Sequence, residues 1–221
     1  MARPCAAVLF DLDGTLVDSA PDLAGAANAL RADHGLPPLP YEELRPLVGT
    51  GARGMVGAAF GLGPDDPRFV ELRDAFLAHY EARMLTLTQV FPDMQPVLRQ
   101  LEQQGLPWGI VTNKAQRFAE PVVAGTGLQH RAAALVCGDT TARAKPHPDP
   151  LLEAARRLGL PPQHCVYVGD DHRDIQAGQA AGMATLAAAW GYLGQGEAIE
   201  AWGADALLNS PAELLNWLEL A

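Results

Sequence analysis

The chain has 221 residues, 48% of them hydrophobic and 19% charged, an ordinary composition for a globular fold with a sizeable core. Its net charge of −10 excludes non-specific binding to nucleic acid or anionic membranes, which needs basic patches. No apolar run reaches membrane-span length, "MARPCAAVLF" does not read as a signal peptide, and three scattered cysteines without a CxxC pattern point to core thiols in a reducing, cytoplasmic compartment.

The first predicted strand is Ala6–Phe10, an apolar run stopped by Asp11, Asp13 and Gly14. "SAPDLAGAANALRADHG" follows. It reads as a helix with a capping box from Ser19 to Asp22, Pro21 in its first turn and a stop at Gly35. Prolines 37, 38 and 40 punctuate the next loop, and "YEELRPLV" reads as a short helix. "GTGARG" at 49–54 matches a dinucleotide-binding pattern literally, but no strand precedes it, so the spacing predicts a helix starting near Ala52 instead. Phe69, Leu72, Phe76, Leu77 and Tyr80 then mark an amphipathic helix.

Beyond "QVFPDM" at 89–94 the pattern changes. Predicted strands Gly109–Val111, Ala134–Val136, Cys165–Val168, Thr185–Ala188 and Ala206–Leu208 alternate with predicted helices Met94–Gln104, Gln116–Ala124, Pro150–Leu158 and Ile175–Ala181. Near-continuous apolar strands alternating with helices predict a doubly wound parallel sheet covered on both faces, an α/β core. The expected organisation is a core of residues 1–15 and 88–221, with an all-helical cap, residues 16–87, inserted after the first strand.

The strand ends carry the chemistry. Asp11 and Asp13 lie two apart, so both can point into the crevice at a sheet edge. Taken alone they could simply form a turn. As a functional pair they would repel and call for a divalent cation, and hard cations such as Mg²⁺ prefer oxygen ligands. "CVYVGDDHRD" repeats the device with Asp170, Asp171 and Asp174. "WGIVTNK" ends a strand with Thr112 and Asn113, and "ARAKPHPDP" supplies Lys145 before a helix. Carboxylates, a hydroxyl, backbone N–H groups and a cation are what phosphoryl transfer needs.

"DLDGTLVDS", "VTN", "KP" and "GDDHRD" resemble, in order and spacing, the four motifs of the haloacid dehalogenase superfamily, and the helical insertion resembles that family's cap. The resemblance implies an aspartyl-phosphate mechanism on a small phosphomonoester, in a monomer or small homo-oligomer. Asp11 would attack phosphorus, and Asp13 would protonate the leaving alkoxide and then activate water. Mg²⁺ would be held by the Asp11 carboxylate, the Asp13 carbonyl and Asp170. Thr112 and the Asn113 backbone would bind phosphoryl oxygens, with Lys145 neutralising charge. Asp174 would orient Lys145 or a metal-bound water. Asp171 departs from the family's usual Ser or Thr and would join the metal shell or stand behind it.

Asp13 favours a phosphatase over a dehalogenase, because a halide leaves without a proton and an alkoxide needs one. Phosphoglycolate phosphatases are the nearest resemblance. "GLPPLP" and "VTNKAQRFAEP" resemble N-acetylmuramic acid 6-phosphate phosphatases of cell-wall recycling at least as well. A sugar phosphomutase and a non-catalytic binding module are the remaining alternatives. Arg53 either reaches a second anionic group of the substrate or is solvated surface. Trp190, Gly191 and Tyr192 either line the rim of the site or pack the sheet edge.

Overall fold

The computed structural model describes residues 5–220. Its strands and helices, in chain order, are β1 (Ala7–Phe10), β2 (Val17–Asp18), α1 (Ala20–Asp33), α2 (Tyr41–Leu44), α3 (Gly51–Phe60), α4 (Phe69–Arg83), β3 (Gln89–Val90), α5 (Met94–Gln103), β4 (Trp108–Val111), α6 (Gln116–Gly125), β5 (Ala134–Val136), α7 (Asp149–Leu158), β6 (Cys165–Gly169), α8 (His172–Ala181), β7 (Ala184–Ala188), β8 (Ala206–Leu208) and α9 (Glu213–Trp217). A 3₁₀ turn, Arg45–Thr50, joins α2 to α3.

Six strands form one sheet in the order β5-β4-β1-β6-β7-β8, every neighbouring pair parallel. Alternation of side chains along each strand divides the core in two. On one face Val8, Phe10, Ile110, Val166 and Val168 pack against α5, α6 and α9. On the other, Ala7, Leu9, Val111, Cys165 and Tyr167 pack against α7 and α8. Both faces are therefore covered, as the apolar strands require. All six predicted strands and four predicted core helices are present, with ends differing by at most three residues. The three cysteines are free thiols, and among the described residues no helix is long and apolar enough to cross a membrane.

Helices α1 to α4 form a separate block with its own core, in which Leu30, Leu44, Met55, Phe76 and Tyr80 are almost completely buried. Two residues from the sheet domain, Phe118 and Tyr192, pack into that core. The block's two connections meet as a two-stranded antiparallel ribbon, Val17 opposite Val90 and Asp18 opposite Gln89.

The start of α1 differs from the expected capping box. Ser19 makes no side-chain cap. Its hydroxyl donates instead to Asp13 Oδ1 at 2.5 Å. That contact turns the hydroxyl toward the Asp13 carboxylate and away from the N–H groups of the first helical turn. The Tyr192 phenol oxygen accepts from the Ser19 and Ala20 N–H groups at 2.8 and 3.0 Å. Asp22, fully buried, turns to the return connection, where it accepts from Leu87 N, Thr88 N and Thr88 Oγ1 at 2.8–2.9 Å. Asp22→Ala strands those three donors, and urea denaturation should show a loss of about 3 kcal/mol. A loss near zero would mean water replaces the carboxylate without cost.

Candidate active site

Strand order reverses around β1, which lies between β4 and β6, and ligands bind outside the carboxyl ends of strands at such a switch point. Asp11, Thr112 and Asp170 are the first residues past the ends of these three adjacent strands. Lys145 reaches the same edge from the loop between β5 and α7. A cavity of about 270 Å³ opens there, between the sheet edge and the helical block.

Lys145 is the electrostatic centre of the floor. Its side chain is 3% exposed, and its ammonium lies 2.8 Å from Asp11 Oδ1 and 2.7 Å from Asp174 Oδ1. Tyr167 Oη and the Val111 carbonyl stand 2.7 and 3.0 Å away, so the three N–H donors choose among four oxygens. Burial pulls this lysine's pKa down, but the Asp11 and Asp174 charges outweigh it and hold the ammonium protonated. The Asn113 side chain fixes the same loop, donating to the Lys145 carbonyl and accepting from its N–H, both at 3.0 Å. Sequence reasoning gave that amide no such part; it depends on how the loop before Pro146 folds.

A second lysine serves the second carboxylate. Lys114 Nζ lies 3.0 and 3.1 Å from the two Asp13 oxygens and 4.8 Å from the centre of the Tyr80 ring. Burial acts against its charge, and Asp13 outweighs it. Lys114 had no predicted role, since a lysine after a strand-end asparagine reads as solvated surface. Its backbone N–H donates to Thr112 Oγ1 at 3.1 Å, which leaves the buried Thr112 hydroxyl hydrogen free to donate into the cavity it lines.

Asp11, Asp170 and Asp174 each bring a carboxylate oxygen within 4.8 Å of the others. Asp170 is the exceptional member. It is 3% exposed and accepts only neutral hydrogen bonds, from Thr15 Oγ1 at 2.8 Å and Tyr192 N at 2.7 Å. Among the described residues it has no cationic partner. Burial, then the Asp11 and Asp174 charges, push its pKa well up. Burial also pushes Asp11 up to about 7, against the pull of Lys145. Gly14 and Gly191 let the backbone close on Asp170: a Cβ at either would stand 2.1–2.2 Å from its side chain, and Gly14 also has φ +90°. One half-buried and two buried carboxylates, with a single lysine that pairs with Asp11 and Asp174 but not Asp170, form an all-oxygen donor set with uncompensated charge. That set fits a hard divalent cation.

Asp171 has other partners. It caps the N-terminus of α8, and its two oxygens take Arg173 Nε and Nη2 at 2.8 and 2.7 Å. Burial raises its pKa less than Arg173 lowers it, so it stays ionised. Asp174 Oδ2 returns the cap by accepting from the Asp171 N–H at 3.1 Å. Arg173 in turn donates to the carbonyl of Gly49 in the helical block, at 2.5 Å.

The upper part of the cavity is largely apolar, lined by Leu23, Val48, Phe76, Leu77 and Tyr80. Arg53 is exposed and outside this lining, although its neighbours Gly51 and Ala52 belong to it. Arg117 of α6, which sequence reasoning passed over, lines the cavity. Trp190 and Tyr192 join the sheet edge to the other parts: Trp190 Nε1 donates to the Thr15 carbonyl at 3.1 Å, and Tyr192 bridges Asp170 to the start of α1.

The family model for haloacid dehalogenase-like hydrolases matches residues 5–182. The chain is 48% identical over 209 residues to a phosphoglycolate phosphatase of Xanthomonas campestris, covering 94% of each. It is 44% identical over 215 residues to an N-acetylmuramic acid 6-phosphate phosphatase of Pseudomonas aeruginosa, covering 97% of this chain and 95% of the relative. A crystal structure described as a predicted phosphoglycolate phosphatase from Haemophilus somnus superposes with a TM-score of 0.86 at 27% identity, over 98% of this chain and 99% of that one. The matched span takes in all three strand ends and both lysines of the floor, and the chain belongs to the haloacid dehalogenase-like hydrolases.

Proposed function

We propose that the protein is a Mg²⁺-dependent phosphomonoester hydrolase that works by double displacement through Asp11. One observation carries this reading: two carboxylates two residues apart are held by different lysines, Asp11 by Lys145 and Asp13 by Lys114. That separation suits a nucleophile and a proton carrier working side by side.

The Asp11 oxygen that does not face Lys145 attacks phosphorus, and the bond from phosphorus to the ester oxygen breaks. Asp13 passes its proton to that oxygen as it leaves. Asp13 then takes a proton from water as the water attacks phosphorus, the acyl-phosphate bond breaks, and Asp11 returns as a carboxylate. Thr112 and the Asn113 N–H hold phosphoryl oxygens, and Lys145 offsets the charge that gathers beside Asp11. The Asp11 and Asp170 carboxylates and the Asp13 carbonyl would hold Mg²⁺, which when bound would supply further charge neutralisation on the phosphoryl group. Asp174 works through Lys145, and Asp171 through Arg173. Arg53 contacts substrate only if the helical block, acting as a cap, carries it over the cavity.

The first substrate is 2-phosphoglycolate, converted to glycolate and phosphate, on the strength of relatives that bear that activity in their names. The second is N-acetylmuramic acid 6-phosphate, favoured by the apolar upper cavity and the Pseudomonas relative. Three free thiols suit the cytoplasm. Phosphate release from both esters with Mg²⁺ tests the reading. Release that persists undiminished in excess EDTA, or no release from any phosphomonoester, overturns it.

A metal-free measurement gives a further check. Asp11 has a folded pKa of about 7, above its unfolded value, so its protonated form contributes stability that is lost as pH rises through 7. The metal-free protein should therefore melt at a lower temperature at pH 8 than at pH 6. At one fixed Mg²⁺ concentration the melting point should rise more at pH 8 than at pH 6, and a hundredfold excess over Kd stabilises the fold by about 2.7 kcal/mol. Equal increments at the two pH values would count against these carboxylates as the ligands.

A further inference from the structure

Tyr80 is 2% exposed, and among the described residues its hydroxyl has no partner in full hydrogen-bond geometry; the Lys114 ammonium stands near it but is committed to both oxygens of Asp13. A buried, unsatisfied hydroxyl costs free energy, and such groups mark places where something else is meant to bind. Tyr80 belongs to α4 of the helical block and lines the cavity. Its ring packs on Phe118 with centroids 5.6 Å apart, and the Arg117 guanidinium lies 4.4 Å from the centre of that same Phe118 ring. Tyr80, Phe118 and Arg117 thus form one continuous wall of the cavity. Arg117 makes no ion pair with any carboxylate among the described residues. The wall offers a buried hydroxyl, an aromatic face and an exposed guanidinium without an acidic partner among the described residues.

We propose that this wall is a second anion subsite, in which Arg117 and the Tyr80 hydroxyl hold a carboxylate carried by the leaving alcohol. The inference rests on the phosphatase reading, in which the phosphoryl group occupies the floor. A planar guanidinium matches a carboxylate's two oxygens, and a hydroxyl on the same cavity wall can donate to one of them. The chemistry is shared by two sources, a short hydroxy acid such as glycolate and a sugar bearing a lactyl ether. Selectivity would then come from the carboxylate rather than from the phosphate, which every phosphomonoester presents. Arg53, outside the lining, is not needed for it.

The test is a specificity ratio. kcat/KM is measured for 2-phosphoglycolate against ethylene glycol monophosphate, and for N-acetylmuramic acid 6-phosphate against N-acetylglucosamine 6-phosphate. Each pair differs by the carboxylate-bearing group. Wild type, Arg117→Ala, Arg117→Lys and Tyr80→Phe are compared. In Arg117→Ala the ratio for the preferred pair should fall by about tenfold or more, the worth of one charge-assisted hydrogen bond, chiefly through KM. Arg117→Lys should recover part of it. Tyr80→Phe should lower the ratio by about threefold to tenfold. Tyr80→Phe keeps the ring on Phe118 and leaves Lys114 its two bonds to Asp13, so its melting point should stay close to wild type, which separates recognition from folding.

The pair whose ratio moves identifies the source of the carboxylate. A ratio unchanged in both variants, whatever the absolute rates do, overturns the subsite while leaving the phosphatase intact. A wild type silent on all four esters but active on a generic phosphomonoester overturns the subsite alone, and one silent on every phosphomonoester overturns the phosphatase reading with it.

Discussion

Asp11→Asn is expected to lower phosphate release by roughly 10⁴-fold or more, the scale seen when a nucleophile is removed from a covalent mechanism. The substitution keeps shape and removes only charge and nucleophilicity. The remaining site is left nearly as it was: Lys145 keeps Asp174 at 2.7 Å, and Asp170 keeps Thr15 and Tyr192. The fold should not suffer. Burial disfavours the Asp11 charge, and Asp174 repels it, so a neutral amide relieves both. The metal-free variant should melt at or above wild type at pH 8. It should also lose part of the melting-point drop between pH 6 and pH 8, because the group responsible no longer titrates there. Acid-quenched single turnovers supply the direct measurement. Wild type should yield a hydroxylamine-sensitive acyl phosphate, and the variant none. A variant that still turns over with comparable kcat would eliminate the covalent role and leave Asp11 as a metal ligand alone.

Asp11, Thr112 and Asp170 were legible in the sequence for a physical reason. Each interrupts an apolar run that fills a buried strand, and a polar side chain at that point has only the sheet edge to occupy. Asp174 was legible as a site residue because it shares a short acidic stretch with Asp170. What was not legible are contacts that depend on distant chain segments meeting. Asp22 binds Thr88, and nothing in "SAPD" distinguishes that from a local capping box. The ribbon of β2 and β3 has two residues per strand, too few for periodicity to register. Lys114 gains meaning only when Asp13 and Tyr80 stand on either side of it. Asp171 looked like a spare metal ligand because its neighbours are acidic, whereas Arg173, two residues on, fills both its oxygens. Arg117 and Arg53 are equally plain as isolated letters, and only the packing of α6 against α4 brings one of them to the cavity wall.

Lys145→Met is expected to damage both stability and rate, and the pH dependence of the damage is its signature. The lysine is the shared counter-charge of Asp11 and Asp174, whose side chains are 13% and 2% exposed. Methionine fills a similar volume but offers no donor, so the variant keeps three close carboxylates with no lysine among them. Removing one partner of a buried ion pair costs about 3–5 kcal/mol, mostly from the charge left behind. The cluster has a cheaper alternative, which is to take up protons. Without Lys145, burial and mutual repulsion are unopposed by the attraction that now lowers the Asp11 pKa. The folded pKa of Asp11, already raised by burial, then rises further above its unfolded value. Stability from the protonated form is present at low pH and is lost as pH rises through that higher value. Urea denaturation should accordingly find Lys145→Met closer to wild type at pH 5.5 than at pH 8, with the full deficit at pH 8. The rate should fall by about 10²-fold to 10⁴-fold, because charge developing beside Asp11 loses its fixed cation. A deficit of equal size at both pH values would assign the loss to packing, and a deficit larger at pH 5.5 would contradict the pairing itself.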